Sequence, residues 1–448
     1  MMSQPMRKPK QLSSQCLPYD VVFDILTRLP VKSIIRFRCV SKSWNSILTS
    51  PDFINTHLDR AKSSLSHNNN NGFLLYIHKS YYKHLCTVLC NSDHTFTQIS
   101  KLRIPFSDIS VVDFCNGMFC LKNFENHELY LWNPSIRKFK ILTPHYFARL
   151  VAYGLGFHSQ NNDFKILRIL CDNKMSEAEV YTLSTDSWRR VVISMESEPN
   201  IGSINLIDTS PCLFFKGALH SIAFSWNHRF ILSFDVNAET FRQIMVPRNY
   251  FKENISLNFE SLVVFKGSLA VFVCVEDLDG DRDICHLWVM REYGVVESWT
   301  KISVPIDFVQ ELFGCTDSGE LLIHTTDRGL VSYDPESLNE NYLGIQSSPW
   351  LSYTAGLMES LVLLDQGQDQ GQGQGQGQDP NILLPPWSVP MYHPDGSVAE
   401  IPIPRCTNVM RYRIRQATFE DLEEMIMMVE SLKLEVTRLS RDLYLGPQ

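Results

Sequence analysis

His84, Cys86, Cys90 and His94 form H-x-C-x3-C-x3-H, a set of imidazole and thiol groups of the kind that holds tetrahedral zinc. On an extended strand these even spacings share one face but spread over about 33 Å at 3.3 Å per residue. Four ligands then converge only if a turn at Asn91-Ser92-Asp93 folds them together, so buried cysteines and surface histidines are the default reading. Asp277-Leu278-Asp279-Gly280-Asp281-Arg282-Asp283 has the acidic density of a calcium loop, but its glycine stands at position 4 and Trp288 occupies position 12. An Asp-Gly hairpin turn explains it better. Gly154-x-Gly156 begins a dinucleotide fingerprint without the third glycine or a following helical pattern. There is no G-x-S-x-G and no phosphate-binding P-loop, and no spacing assigns a nucleophile, a base and an orienting group. No cofactor or catalytic residue is expected.

The elements that would position any such chemistry fall into three kinds. A helical stretch runs from Leu17 to Leu58. Val22, Ile25, Leu26 and Leu29 recur at i, i+3, i+4 and i+7, with Asp20 near the helix start. Pro30 stops that helix and can open a second one bearing Val31, Ile34 and Ile35. Ser41 is a plausible N-cap for a third, with Trp44, Ile47 and Leu48 on one face before Pro51 interrupts. Three such short helices bury too little to stand alone, so the unit predicts a partner, with a helical cap packed on the rest of the chain as the alternative. Ser66 to Gly72 is polar and reads as a linker.

From Phe73 to about Leu364 short apolar runs alternate with turn residues, as in an all-β domain. Internal repeats organise it. YLWNPSIRKFKIL, EVYTLSTDSWRRV, ILSFDVNAETFRQI and LWVMREYGVVESWTKI each bring back an aromatic after a turn, at Phe139, Trp188, Phe241 and Trp299. FCNGMFCL, LFFKGALHSI, VVFKGSLAVFV and TDSGELLIH each place a glycine between two strand-like halves. A period near 50 residues over about 290 residues suits a β-propeller of about six blades, with a pair of β-sandwiches as the alternative. Trp-Asp and Gly-Gly pairs are absent, so the usual WD-repeat and kelch signatures are missing.

The tail changes character again. Gln366 to Gln378 is a Gln-Gly repeat, read as a flexible tether, and Pro380 to Pro404 is proline-punctuated. Leu422, Met425, Val429, Leu432, Val436, Leu439 and Leu443 then alternate spacings of 3 and 4, a short coiled-coil seam that could self-associate. A lone amphipathic helix or a functionless extension fits it equally.

At 44% hydrophobic and 11% aromatic, the 448 residues have ample core material for two or three domains. A net charge of -8 gives no general reason to bind nucleic acid or an anionic membrane. No run approaches the ~18 apolar residues of a membrane span and residues 1 to 16 do not form a secretory signal, which predicts a cytoplasmic or nuclear protein. Twelve cysteines at irregular spacings read as small buried side chains rather than a disulfide framework.

Two stretches are similar to known families. Leu17-Pro18, Ile25-Leu26, Leu29-Pro30-Val31-Lys32-Ser33, the run Arg36 to Trp44 and Pro51-Asp52-Phe53 resemble the plant form of the F-box. Asn116-Gly117, Leu131-Trp132-Asn133-Pro134 with Arg137-Lys138, Tyr153 to Phe157, Glu179-Val180-Tyr181, Lys216-Gly217-Ala218-Leu219-His220, Ser233-Phe234-Asp235, Trp288 to Gly294, Glu297 to Lys301 and Tyr333-Asp334-Pro335 follow the order of the plant F-box-associated domain, a kelch-like propeller. Pollen S-locus F-box proteins are relatives of that family, and nothing here singles out that subfamily.

The resemblance implies an α+β multidomain chain. A three-helix F-box at 17–58 follows a disordered 1–16. A linker at 59–72 leads to the β-propeller at 73–364, where the family ordinarily ends; the disordered 365–417 and the helix at 418–445 are read from composition and spacing and depart from it. It implies a non-catalytic substrate-receptor subunit of a Skp-cullin-F-box ubiquitin ligase, binding a Skp-type adaptor, through it a cullin, and an unknown protein substrate. Carried over by position, the adaptor contacts are Leu17, Pro18, Ile25, Leu26, Leu29, Pro30, Val40 and Trp44. With no paired Cys and His ladder of RING type, the chain itself is not expected to recruit a conjugating enzyme. The alternatives are a propeller enzyme, and a coiled-coil scaffold associating through 422–443.

Overall fold

The computed structural model describes residues 19–67, most of 72–365, and residues 391–392 and 398–399. Leu17, Pro18, His94, Trp226, 277–282 and the helix expected at 418–445 lie outside the described residues. The chain divides into two units, residues 1–371 and 372–448. In the second, Met391–Tyr392 pairs antiparallel with Val398–Ala399.

The first unit opens with four helices rather than three: α1 (Tyr19–Leu26), α2 (Val31–Phe37), α3 (Lys42–Leu48) and α4 (Pro51–His67). Ser41 caps α3 as expected, accepting a hydrogen bond from the Trp44 amide at 3.1 Å. Pro30 stands at the N-cap of α2 rather than in its first turn, and its carbonyl accepts from the Ile34 amide. Pro51 does not interrupt the unit. It is the first residue of α4, where its missing N–H and fixed φ cost nothing, and Ser50 Oγ accepts from the Phe53 amide one turn on. The expected linker at 59–72 is therefore helical as far as His67. Phe53, Ile54 and Leu58 are buried, and that apolar face carries the helix onward.

Six four-position sheets follow, each built by neighbouring antiparallel strands. Blade 2 runs Ile109–Cys115, Met118–Asn123, Leu129–Asn133 and Lys138–Leu142 from the inside outward, and blade 3 runs Val151–His158, Asp163–Asp172, Met175–Thr182 and Ser187–Val191. In blade 4, Leu206–Ile207 and Leu213–Phe215 share the inner position before Ala218–Ser225, His228–Asp235 and Phe241–Met245. Blade 5 spans Leu257 to Val304 and blade 6 Val309 to Tyr342. Blade 1 takes Phe73–Ser80, Lys83–Ser92 and Thr95–Ile104 from the start of the domain and its inner strand, Trp350–Thr354, from the end. That strand touches the inner strands of blades 2 and 6, so the ring closes and the sandwich alternative is excluded.

The repeats have a structural meaning. Asn116-Gly117, Lys216-Gly217 and Lys266-Gly267 all have positive φ at both positions, the two-residue turn that matches strand twist. The returning aromatics stand directly across from the last or next-to-last residue of the third strands: Trp132 and Phe139, Tyr181 and Trp188, Phe234 and Phe241, Met290 and Trp299. Gly154 and Gly156 lie on the inner strand of blade 3 and not in a phosphate loop. A Cβ on Gly156 would stand 2.6 Å from a Val236 methyl of blade 4. Cys274 and Cys285 face each other on the second and third strands of blade 5 and are disulfide-bonded, contrary to the expectation of free thiols throughout. Their spacing of eleven residues, set by a hairpin, carried no recognisable motif.

Two fragments singled out in the sequence form one contact. His220 of blade 4 is fully buried, and its Nε2 lies 2.6 Å from the Tyr293 hydroxyl in the turn of blade 5. Its Nδ1 lies 3.2 Å from the Leu213 carbonyl oxygen. Desolvation pushes the imidazole down to about 4, so it is neutral at pH 7. A neutral ring held in the fold binds fewer protons than the unfolded chain between pH 6.5 and about 4. Stability from this site is full above pH 6.5 and falls by about 1.4 kcal/mol per pH unit through that window. Chemical denaturation at pH 7 and pH 5 is expected to show a steeper loss for the wild type than for a His220→Asn variant. Tyr293→Phe is expected to cost only about 0.5–1.5 kcal/mol at pH 7, the worth of one hydrogen bond, because Ser233 Oγ, 3.3 Å from the same ring nitrogen, remains as its partner.

Candidate functional site

The helical unit and the propeller share one hydrophobic core. Leu26, Val31, Ile34, Leu48, Phe53, Ile54 and Leu58 cluster with Met118, Leu131, Leu155 and Phe164 of blades 2 and 3. Each such side chain, once buried, contributes about 1.5–3 kcal/mol. The partner that the small unit requires is thus in part its own propeller.

This docking sorts the adaptor-contact residues expected from the sequence. Leu26 is 3% exposed inside the shared core, where it supports the unit from within. It belongs to the same i, i+3, i+4 stripe that marked it as apolar, and the stripe alone does not say which body covers it. Ile25, Leu29 and Trp44 are half-buried, Pro30 is exposed and Val40 is 55% exposed. Trp44 packs edge-on against Phe37 with ring centres 5.5 Å apart. Tyr19 and Val21 are also exposed and were not among the expected contacts. They lie off the inward stripe of α1, and exposed apolar residues on a short amphipathic helix were the signal available.

Polar anchors fix the junction. Asp24 on α1 pairs with Arg28 and with Arg60 on α4, and Arg60 first, then Arg28, holds its carboxyl below the usual carboxylate range. On the propeller side, Asn162 in the first turn of blade 3 donates to Asp59 at 3.1 Å and accepts from Lys62 Nζ at 2.6 Å. The Lys62 ammonium also lies 4.8 Å from the centre of the Phe157 ring.

A strap, residues 358–365, runs beneath the helices after the last propeller strand. Asn133, fully buried at the end of the third strand of blade 2, donates from Nδ2 to the carbonyls of Ser360 at 2.9 Å and Val362 at 2.8 Å. Its Oδ1 accepts from the Ser135 amide, which starts the following turn. Lys138 Nζ reaches the Leu364 carbonyl, and Glu359 accepts from the Val31 amide at 2.8 Å. Between the α1–α2 turn, α4 and the strap lies a groove of about 560 Å³. Desolvation lowers the pKa of His57 on its wall below the usual imidazole value.

The connections of the blades divide between two faces. Those joining first to second strands and third to fourth strands lie on the face that carries the helices. Those joining second to third strands, and one blade to the next, lie on the far face. The far face exposes Val192 (80%), Leu206, Ile284 and Phe308 (56%), each beside a strand end on that side. Phe308 holds φ at +62° outside any hairpin, pinned by Thr326 N–H to its carbonyl, a conformation that bulky residues seldom adopt. Tyr250 is buried, with its hydroxyl donating to Glu260 at 2.8 Å.

Chemistry is sparse by comparison. His84, Cys86 and Cys90 lie on one continuous strand, and burial pushes the Cys86 thiol up to about 12. Over six residues that strand separates His84 from Cys90 by about 20 Å. Among the described residues no three His, Cys, Asp or Glu side chains gather around a possible metal position. Asp113, at a bulge of the inner strand of blade 2, is pushed up to about 7 by desolvation and accepts one hydrogen bond from the Phe114 amide. The neighbouring thiols of Cys115 and Cys120 are also driven up, so they stay protonated and weakly nucleophilic.

Residues 14–56 match the family model of the F-box domain, and residues 80–348 match that of the F-box associated beta propeller domain. An F-box/kelch-repeat protein of Arabidopsis thaliana is 26% identical over 345 residues, covering 72% of this chain and 89% of the relative. The F-box protein CPR1 of the same plant is 26% identical over 387 residues, covering 78% and 89%.

Asn133 is the residue whose loss tests the junction. Asn133→Ala is expected to lower stability by about 2–4 kcal/mol, because two strap carbonyls and one turn amide lose a buried partner together. Denaturant midpoints of the full chain check this, and a change below about 0.5 kcal/mol would show that the strap is not held from blade 2.

Proposed function

Because the chain belongs to the F-box proteins with an F-box-associated β-propeller domain, we propose that it is a substrate-receptor subunit of a Skp-cullin-F-box ubiquitin ligase. The observation that carries the reading is a helical unit with its inner face sealed by the propeller and an outer face that still exposes Tyr19, Val21, Pro30 and Val40. Apolar residues left in water on a unit this small suit a second body, here a Skp-type adaptor and through it a cullin. Ile25, Leu29 and Trp44 border that surface and would add their exposed portions.

On this reading the far face of the propeller takes the substrate, since its connections point away from the docked helices. The chain performs no bond chemistry itself. It holds a substrate lysine near the loaded conjugating enzyme, raising the effective concentration of the amine. The amine attacks the ubiquitin thioester, an isopeptide bond forms, and the enzyme's thiol departs with the amine's proton. Such a ligase would work in the cytoplasm or nucleus.

The test is a binding titration of the full chain with a Skp-type adaptor. Wild type is expected to bind, and Val40→Asp to weaken binding at least tenfold, about 1.4 kcal/mol, with unchanged thermal unfolding. Wild-type protein that fails to bind would sink the reading.

A further inference from the structure

We propose that the strap, residues 358–365, sets the orientation of the F-box on the propeller, with Glu359 as a positioning residue for ubiquitin transfer; this rests on the receptor reading above. The inference starts from an orphan amide. Pro30 opens α2 and has no side chain to cap it, so the Val31 N–H needs an acceptor from elsewhere. Glu359 supplies it, 328 residues away in sequence, through Oε2 at 2.8 Å.

The strap is in turn fixed to the propeller. Asn133 holds two of its carbonyls, Ser135 Oγ accepts from the Ser360 amide at 3.3 Å, and Met358 and Leu361 to Leu364 are buried in the shared core. Gly117, in the first turn of blade 2, passes so close that a Cβ there would stand 2.7 Å from the Met358 carbonyl oxygen. The Glu359 carboxylate that meets α2 is therefore carried by a segment fastened to blade 2.

A single anchor would leave the helical unit free to pivot. The apolar core between the bodies is non-directional and tolerates rotation. Asn162, gripping Asp59 and Lys62 on α4, provides the second point, on a different helix and against a different blade. Two hydrogen-bonded points on α2 and α4 fix the angle between the adaptor-binding end and the far face. Transfer by proximity depends on that angle, because it decides which lysines come within reach of the conjugating enzyme.

Glu359 is itself exposed, so its removal is expected to leave the fold intact. The experiment uses the full chain, first alone and then in a ligase reconstituted with adaptor, cullin and conjugating enzyme. The probe is self-modification of the chain's own lysines, read by mass spectrometry, with hydrogen exchange of α2 read in parallel. For Glu359→Ala the expectation is at least tenfold faster exchange at the start of α2 and adaptor affinity within twofold of wild type. The share of the most modified lysine is expected to fall at least threefold as modification spreads to others. Glu359→Gln, which keeps a carbonyl acceptor, is expected to restore most of the wild-type pattern, and Asn162→Ala to reproduce the spread from the other anchor.

Unchanged exchange in Glu359→Ala overturns the proposal, as does faster exchange with an unchanged lysine pattern. Lost adaptor binding in that variant would make Glu359 part of the adaptor surface and overturn the positioning role. If the wild type never binds adaptor, the receptor reading falls separately, while exchange in the free chain still decides whether Glu359 holds the helices.

Discussion

Seven apolar side chains of the helical unit are kept from water in one core with blades 2 and 3 and the strap. A unit of about fifty residues cannot close such a core alone, and the propeller offers a broad apolar patch where its first turns come together. Once the two bodies share a core, the remaining features follow as consequences of its edges. Asn162 meets α4 where blade 3 turns, the strap fills the gap beside blade 2, and Glu359 finds the unsatisfied amide of α2. The outward surface of the helices is then whatever this docking leaves over, which is why Val40 is exposed and Leu26 is not.

How much of this was legible in the sequence depended on whether the deciding interaction was local. The N-cap at Ser41, the two-residue glycine turns and the returning aromatics are each settled within a few residues, and each was readable. The blade count followed from their period. Leu26 lies in the core shared with the propeller, which periodicity could not say, because it reports an apolar face without naming what covers it. Pro51 was read as a stop, although the reasoning that lets Pro30 open a helix applies to it equally, and Ser50 stood ready as its cap. The ring closure by Trp350–Thr354, the Cys274–Cys285 pair and the grip of Asn133 on the strap join residues whose relation is set by tertiary structure. No local pattern announces them.

The motif fragments acquire reasons once the contacts are known. Asn133 and Asp235 end the third strands of blades 2 and 4, Asp334 directly follows that of blade 6, and each side chain accepts from amides of the turn there. In blades 4 and 6 an aspartate suffices, since the turn needs only an acceptor. Blade 2 has asparagine, and the difference is chemical: its amide nitrogen must also donate to Ser360 and Val362, which a carboxylate cannot do. The same position in the repeat therefore does generic work in two blades and specific work in the one that lies under the helices. His220 and Tyr293 show a similar economy, two fragments of separate blades meeting in one buried hydrogen bond.

The division of connections between the two faces follows from antiparallel pairing alone. With each blade running inside to outside, first and third turns must share one face, and on this chain they are short and hydrogen-bonded to themselves. That makes the face flat enough for helices to pack upon. The far face collects the links between blades. Phe308 shows what such a link can hold: a large side chain kept in water by a strained backbone, with Arg328 Nη2 donating to the Asp307 carbonyl beside it at 3.2 Å. A chain of this design separates two demands that conflict in one surface. The helical face needs fixed geometry, while the opposite face is free to change in sequence without disturbing the core that fixes it.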